Sequence, residues 1–256
     1  MNYEKKIKIL TFCLFLNYMF GYSQIKNLDI KYGVYYNLSV EDRFEDVKEL
    51  KKENPEIYEK IIKDESEVKN IDFRLIYDGI HSITFGIDPK KQNLEELFDD
   101  FEGRDTIFTN LTNNKIYIYK HDYWGINLLL NYDYSKYKWN ITNETKLIDD
   151  VICYKAILYY DTEDNKNRYT HKVVAWYNPQ IKISIGPNGY GGLPGLIYKL
   201  DEGFRTYYIK EIKINQSDYK IKFETNRKRT KKLDLDTFRK TYDDIKREWK
   251  QMNMRN

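Results

Sequence analysis

The most informative stretch of this chain is Gly186-Pro187-Asn188-Gly189-Tyr190-Gly191-Gly192-Leu193-Pro194-Gly195-Leu196-Ile197. Its twelve residues hold five of the twelve glycines and two of the five prolines. Glycine permits positive φ angles and proline locks φ near about −65°, so the backbone path is fixed here. Leu193, Leu196 and Ile197 are expected to anchor the stretch inward. We call residues 186–197 the Pro/Gly corner and predict a shaped loop that leads into a strand.

The N-terminus has the features of an export signal. Lys5, Lys6 and Lys8 precede an apolar run that ends near Phe20, and small residues follow up to Ser23. The run is too short to cross a bilayer of about 30 Å as a helix. We therefore predict a signal peptide over residues 1–23, cleaved after Ser23. Cys153 is then the one remaining cysteine, which excludes an internal disulfide.

Basic and acidic residues are nearly equal in number over the whole chain, but they are unevenly distributed along it. The sequence has 43 basic and 40 acidic residues, and its last 31 residues, 226–256, contain 11 basic and 5 acidic residues. Such a basic tail can attract nucleic acid or an anionic membrane surface. For an exported protein we expect no nucleic-acid partner. A solvated helix is the simpler interpretation, with peripheral contact to a membrane surface as the alternative.

Most of the chain shows the two-residue period of β-strands. Tyrosine is abundant, with 25 copies, and aromatic residues suit pleated, half-buried surfaces. Turn dipeptides such as Asp78-Gly79 and Asn113-Asn114 separate alternating segments, which predicts hairpins. The strands predicted in this way are residues 29–38, 71–77, 83–87, 106–111, 115–119, 151–160, 169–177, 181–185, 196–200, 204–213 and 219–224.

The predicted fold is mainly β, a single domain over residues 24–256 with one curved antiparallel sheet or half-barrel. Two helical regions accompany the sheet. Residues 41–69 read as a short helical insertion that is broken near Asn54-Pro55, where asparagine can cap and proline can begin a helix. Residues 233–252 read as an amphipathic C-terminal helix, because apolar residues recur there at spacings of three and four.

With these residues in view, the chain resembles the GLPGLI family, exported proteins of Bacteroidetes. Residues 192–197 reproduce the family motif letter for letter. Further blocks follow the family order, including Trp139 with residues 144–148, the Cys153-Tyr154-Lys155-Ala156 block, and residues 174–181 around Trp176. Asp150 departs from the glycine that is more usual before the strand. The resemblance implies export to the cell envelope and a β-rich body, and it implies no reaction.

The corner and the neighbouring aromatic residues are the candidate site. As a structural element, the corner would turn tightly and fill the core, and the residues assigned this role are Gly186, Gly192, Gly195, Leu196, Ile197, Trp139 and Cys153. As a functional element, it would form the lip of a binding site. The residues assigned to ligand or partner binding are Trp176, Tyr177, Pro187, Tyr190, Leu193 and Pro194.

The sequence offers little for catalysis or for metal binding. His81, His121 and His171 lie far apart and lack the spacing of a metal site, so no metal and no cofactor are expected. Cys153 and His171 could approach each other across a hairpin centred near residue 163, as a nucleophile pair. Glu144 with Lys146 and Lys155 could be a charged site, although an exposed cross-strand ion pair is the simpler interpretation.

Three functions therefore stay open. The favoured one is a non-enzymatic envelope protein that binds a partner protein or an apolar ligand. The second is a carrier of lipid-like molecules, with the C-terminal helix as a cap over a half-barrel. The third is a hydrolase that uses Cys153 and His171. An apolar cavity beside Gly192–Ile197 would favour the carrier, and a filled core there would favour a scaffold.

Overall fold

The computed structural model describes residues 25–39, 45–68, 72–87, 106–123, 126–163, 168–216, 218–223, 230–234 and 237–238. Within them the protein is mainly β, with twelve strands in one open sheet and two α-helices. The strands are β1 (Leu28–Tyr36), β2 (Asp72–Tyr77), β3 (His81–Ile87), β4 (Thr106–Asn110), β5 (Lys115–Tyr123), β6 (Ile126–Asp133), β7 (Asn140–Ile148), β8 (Val151–Glu163), β9 (Arg168–Asn178), β10 (Leu196–Asp201), β11 (Arg205–Ile214) and β12 (Thr230–Asp234).

The sheet consists of two meanders joined by the first strand. Its order is β12-β6-β5-β4-β3-β2-β1-β11-β10-β9-β8-β7. Strands β2 to β6 follow one another on one side of β1, and strands β11 back to β7 do so on the other side. Every neighbouring pair is antiparallel except β12 and β6, which run parallel. The two outermost strands, β12 and β7, do not pair with each other, so the sheet is open.

The two helices lie where the sequence predicts a helical insertion. Helix α1 spans Glu45–Glu53 and helix α2 spans Pro55–Val68. The side chain of Asn54 accepts a hydrogen bond from the backbone N–H of Ile57 at 3.3 Å, which caps the second helix. Val47 and Tyr58 are buried between the helices. No helix within the described ranges is both long and apolar enough to cross a bilayer.

Two predicted strands are wrong, and three observed strands were missed. Residues 181–185 form no strand: their one ladder bridge joins Ile185 to Gly191, and their other backbone hydrogen bonds are local or run to the start of β10. Residues 218–223 form no strand, although Ile221 is buried against a group made of Ile76, Ile83, Phe85 and Phe108. The missed strands are β6, β7 and β12.

The C-terminal prediction is corrected at its start. Residues 230–234 form β12, so the predicted helix cannot begin at 233. The Asp234 side chain accepts a hydrogen bond from the Thr237 backbone N–H at 2.9 Å, as a residue before a helix does. Phe238 is buried against Leu128 and Leu130 of β6. The rest of the predicted helix, like the predicted signal peptide, lies outside the described residues.

Candidate functional site

The Pro/Gly corner and the segment before it lie against the face of the sheet and fill the core. Ile181, Ile183 and Ile185 are all buried in the same cluster as the strands β1, β8, β9 and β10. Short backbone hydrogen bonds, from Ile183 N–H to the Ile181 carbonyl at 2.7 Å and from Ile185 N–H to the Ile183 carbonyl at 2.9 Å, shape this segment. A 3-10 turn at Pro187–Gly189 then packs against β3 and β4. The corner therefore joins the two meanders through the interior.

The residues predicted to form a binding lip are mostly inside the protein. Leu193 is 1% exposed, and Tyr177, Pro187 and Tyr190 are also buried. Pro194 is exposed at the tip of the corner, and Trp176 is half-buried on β9. The structure thus places Tyr190 and Leu193 in one buried cluster, with Pro187 also buried, whereas Trp176 is only partly buried against that cluster. A ligand approaching the surface meets only Trp176 and Pro194 of this set.

The residues predicted to be structural occupy packing positions. Leu196 and Ile197 are fully buried at the start of β10, and Gly186 is buried just before the 3-10 turn. Gly195 approaches the backbone so closely that a Cβ atom there would overlap the carbonyl oxygen of Asn178. Gly192 has φ +82°, a conformation that favours glycine. Close backbone approach thus explains why residue 195 is glycine, and a positive φ angle explains why residue 192 is glycine.

Aromatic stacking connects the corner to the segment before β7. The Trp139 indole Nε1 donates a hydrogen bond to the Gly191 carbonyl at 2.8 Å. The Tyr137 ring stacks on Tyr190 with centroids 5.2 Å apart. The Tyr137 hydroxyl lies 3.0 Å from that of Tyr132 on β6. These contacts fix the corner against both meanders, and they give Trp139 a structural role.

Glu202 gathers hydrogen-bond donors beneath the corner. Its side chain is 7% exposed and accepts from Asn188 Nδ2 at 3.0 Å and from Arg205 Nε at 2.5 Å. Burial raises the pKa of Tyr190, and hydrogen bonds with Glu202 and Tyr160 raise it further. The hydroxyl of Tyr190 therefore stays protonated, as a donor to this carboxylate requires. The ionisable groups near the corner thus form hydrogen bonds with one another, and these bonds connect the corner to the turn between β10 and β11.

The hypothesis of a cysteine–histidine pair is opposed by the register of β8 and β9. Tyr160 lies opposite His171 and Tyr154 lies opposite Tyr177, so Cys153 is level with Asn178. Cys153 and His171 are therefore roughly seven positions apart along the hairpin, on the order of 20 Å. Cys153 is also completely buried, and burial followed by the charge of Asp149 raises the pKa of its thiol to about 11. His171 instead stacks on Tyr160.

Trp176 lies on the opposite face of the sheet from the corner, which we call the outer face. Its neighbours along β9, Ala175 and Tyr177, are buried in the cluster that contains the corner, and side chains alternate along a strand. The ammonium groups of Lys146 and Lys155 each lie 5.9 Å from the centre of its ring. Lys155 also forms a 2.8 Å ion pair with Glu144, so the expected cross-strand pair is present.

Exposed apolar side chains are concentrated on the hairpin of β7 and β8. Of the eleven large hydrophobic residues that are exposed in the described part of the chain, five belong to these two strands. They are Ile141, Leu147, Ile152, Tyr154 and Tyr159. Leu147 and Ile152, 61% and 60% exposed, face each other directly across the ladder. Clustered exposed apolar groups mark interaction surfaces more often than single ones do.

Sequence reasoning missed the part of the outer face that lies beyond Trp176. Lys199 on β10 and Tyr208 on β11 continue a line of facing residues from Trp176, and Tyr35 lies beside them. Alternation along each strand places each of these side chains on one face. However, the order of β9, β10, β11 and β1 in the sheet cannot be predicted from local sequence patterns. Among the described residues, no three carboxylate, histidine or cysteine side chains gather as a metal site.

Comparison with known proteins gives a family match over part of the chain. Residues 159–199, from the end of β8 through the corner into β10, match the model of a family described as "Protein of unknown function (Porph_ging)". No curated protein matches. The matched segment includes the corner and Trp176, and the description of the family assigns it no activity.

Two solved structures of PNGF-II, in space groups C2 and P21, are similar to this chain. They are 16% and 15% identical, with TM-scores of 0.48 and 0.49, and the alignments cover 86% of this chain. They cover 32% and 33% of the PNGF-II chains, so this chain spans about a third of their length.

Proposed function

We propose that this protein is a non-enzymatic binding module of the cell envelope, whose ligand or partner binds the outer face of β7 to β11. The observation that supports the proposal most is the filled core at the corner, where Leu193, Leu196 and Ile197 are at most 1% exposed. Because these side chains occupy the interior of the sheet, binding has to use the surface.

The outer face offers the groups that a binding surface needs. Trp176 with Lys146 and Lys155 supplies an aromatic ring and positive charge. Aromatic side chains combine large contact area with low conformational entropy, which makes them frequent anchors of interfaces. The partner would be an envelope protein or another surface-bound ligand.

The alternatives have less support. A carrier of apolar molecules would need space beside Gly192–Ile197, where the side chain of Ile197 already lies too close to Gly186 for an added Cβ. A hydrolase would need Cys153 near a base, and its thiol is buried away from His171. We therefore place binding ahead of both and assign no catalytic residue and no cofactor.

Location in the envelope is proposed from the sequence alone. The signal-peptide pattern of residues 1–23 and the resemblance to the GLPGLI family both favour export. The basic tail could add peripheral contact with an anionic membrane surface. We expect no nucleic-acid partner, since an exported protein rarely meets one.

The proposal is tested by co-purification from an envelope extract with matched surface variants. The wild-type chain, a Lys146→Gln/Trp176→Ala/Lys199→Gln variant and an Ile80→Lys control would be immobilised and the retained species identified by mass spectrometry. Ile80 is 52% exposed on the turn between β2 and β3, away from the proposed surface. We expect species that the wild type and the control retain and the triple variant loses. Equal retention by all three proteins would refute the proposal.

A further inference from the structure

A single line of facing residues crosses the outer face of four strands and reaches a fifth. Lys155 on β8 faces Trp176 on β9, and Trp176 faces Lys199 on β10. Lys199 faces Tyr208 on β11, and Tyr208 faces Gly33 on β1. The line thus alternates lysine, tryptophan, lysine and tyrosine, and it ends at a residue without a side chain. We call these five residues the outer row.

The side chains of the outer row contact one another and remain reachable. Lys199 Nζ lies 5.6 Å from the centre of the Tyr35 ring, and Tyr35 lies 5.8 Å from Tyr208, centre to centre. Tyr35 is 44% exposed, and the side chains of the row itself are half-buried. Partial burial opposes ionisation of Tyr35, but hydrogen bonds from Lys199 and Thr206 outweigh it and lower its pKa. Tyr35 therefore widens the row with a second exposed ring.

Gly33 lets the Tyr208 ring lie across β1. A Cβ atom at residue 33 would meet Cζ of Tyr208 at 2.5 Å and Cε of Lys210 at 2.6 Å. Both contacts are far ends of flexible side chains, so an alanine there would displace the ring without moving backbone. The position of the Tyr208 ring at the end of the outer row thus depends on Gly33, which is distant in sequence from the corner.

Positive charge in the outer row and beside it is only partly neutralised. Lys155 is paired with Glu144, which is itself 60% exposed and so can be displaced. Lys146 and Lys199 have no carboxylate partner among the described residues. Two ammonium groups therefore remain available beside the Trp176 and Tyr35 rings.

From this arrangement we propose that the outer row binds an extended acidic polysaccharide laid across the strands. The inference rests on the proposed function and names the class of ligand for the same surface. Neighbouring strands are about 4.8 Å apart, so like residues in the row repeat about every 10 Å. That step is roughly the length of two pyranose rings in an extended chain. Sugar rings would stack on Trp176 and Tyr208, and their acidic groups would pair with Lys146 and Lys199.

An acidic peptide fits this surface less well than a polysaccharide does. A bound peptide strand pairs its backbone with the free edge of a sheet, whereas the row crosses strands β9, β10 and β11, which are paired on both sides. A membrane surface is favoured by long apolar side chains next to lysines, while the row presents rings and ammonium groups. Stacking rings combined with charge suit a chain of acidic sugars.

The test measures binding of polygalacturonic acid to the full chain, with neutral dextran as the uncharged probe. By affinity electrophoresis at low salt, we expect retardation by polygalacturonic acid and none by dextran. Trp176→Ala and Lys199→Gln should each weaken binding at least tenfold, and Gly33→Ala should weaken it through the displaced Tyr208 ring. Lys220→Gln, an exposed lysine outside the row, should bind as the wild type does. Circular dichroism would verify that each variant is folded.

Several outcomes would overturn the inference. No retardation by polygalacturonic acid would do so, as would equal retardation of the wild type, Trp176→Ala and Lys199→Gln. Stronger binding to polyglutamate or to anionic phosphatidylserine vesicles would replace the polysaccharide with a peptide or a membrane. If the co-purification experiment still shows loss of a partner in the triple variant, only the ligand class is wrong. If both experiments are negative, the proposed function fails as well.

Discussion

The hydroxyl of Tyr32 on β1 donates a 2.6 Å hydrogen bond to the carbonyl of Ile197 on β10, across the strand between them. The register of β10 against β9 shifts between Ile197 and Lys199, so a β-bulge interrupts the ladder at this carbonyl. Tyr32 is completely buried, and this burial, with Tyr198 nearby, raises its pKa well above the usual value. The central strand is thereby bonded to the end of the Pro/Gly corner.

Replacing Tyr32 by phenylalanine should destabilise the protein. The change keeps the ring but leaves the buried Ile197 carbonyl without this donor, which costs about 1–3 kcal/mol. Urea unfolding followed by circular dichroism measures the loss, and Tyr154→Phe, at a ring that is 37% exposed, is the control. If the two variants unfold at the same urea concentration, the Tyr32 bond contributes nothing.

Gly195→Ala should be among the most damaging small substitutions in the corner. The new methyl group would overlap the backbone of Asn178 and Pro179, which cannot rotate away, and overpacking of this kind costs about 3 kcal/mol. Gly203→Ala is the matched control, because residue 203 has φ +90° but open space around it. Strain alone should cost about 1 kcal/mol there. A smaller loss for Gly195→Ala than for Gly203→Ala would contradict the close contact.

The thiol of Cys153 should be unreactive in the folded protein. Its pKa is raised to about 11, chiefly by burial, so almost no thiolate exists at pH 8, and no exposed surface admits a reagent. A disulfide reagent such as 5,5′-dithiobis(2-nitrobenzoate) should release colour only after denaturant is added. Rapid reaction at pH 8 without denaturant would show that the site opens.

Asp78 should stabilise the fold above about pH 4 and lose this effect in acid. Burial alone would raise its pKa, but backbone N–H donors of His81, Ile221 and Ile80 outweigh burial and lower it. A lowered folded-state pKa means that stability is present above the unfolded value of about 3.9 and disappears as pH falls through the folded value. Urea midpoints of the wild type and Asp78→Asn should differ at pH 6 and converge towards pH 2.5. A constant difference over that range would exclude the effect.

Alternation of apolar residues predicted the paired strands well except at β6, where the consecutive residues Leu128, Leu129 and Leu130 are all buried. The hairpin of β2 and β3 turns at Asp78-Gly79 as predicted, with Gly79 at φ +100°. Residues 181–185 show the limit of this signal. Their alternation is real, since Ile181, Ile183 and Ile185 are all buried, but they cover the face of the sheet instead of joining it. A period of two identifies alternating burial, and by itself it identifies neither a strand nor its hydrogen-bond partners.

The exposed strands β7 and β12 also escaped the sequence analysis. β7 is exposed along most of its length and β12 contains Lys231 and Lys232, so neither presents an apolar period. The candidate site was misjudged for a related reason. A hairpin centre placed near residue 163 brought Cys153 towards His171, whereas the observed register separates them. Similarly, the outer row depends on strand order, which local sequence patterns do not contain.

The placement of β1 between the two meanders has a consequence for how the chain folds as it emerges. Strands β2 to β6 can pair with their sequence neighbours early, but β1 has to wait for β11, which ends at Ile214. Until then its free side exposes unpaired amide and carbonyl groups that invite pairing with other chains. Joining residues so distant in sequence is slow. The nascent chain would thus keep an incomplete sheet until β11 has been synthesised. During that time it would depend on chaperones to prevent pairing with other chains.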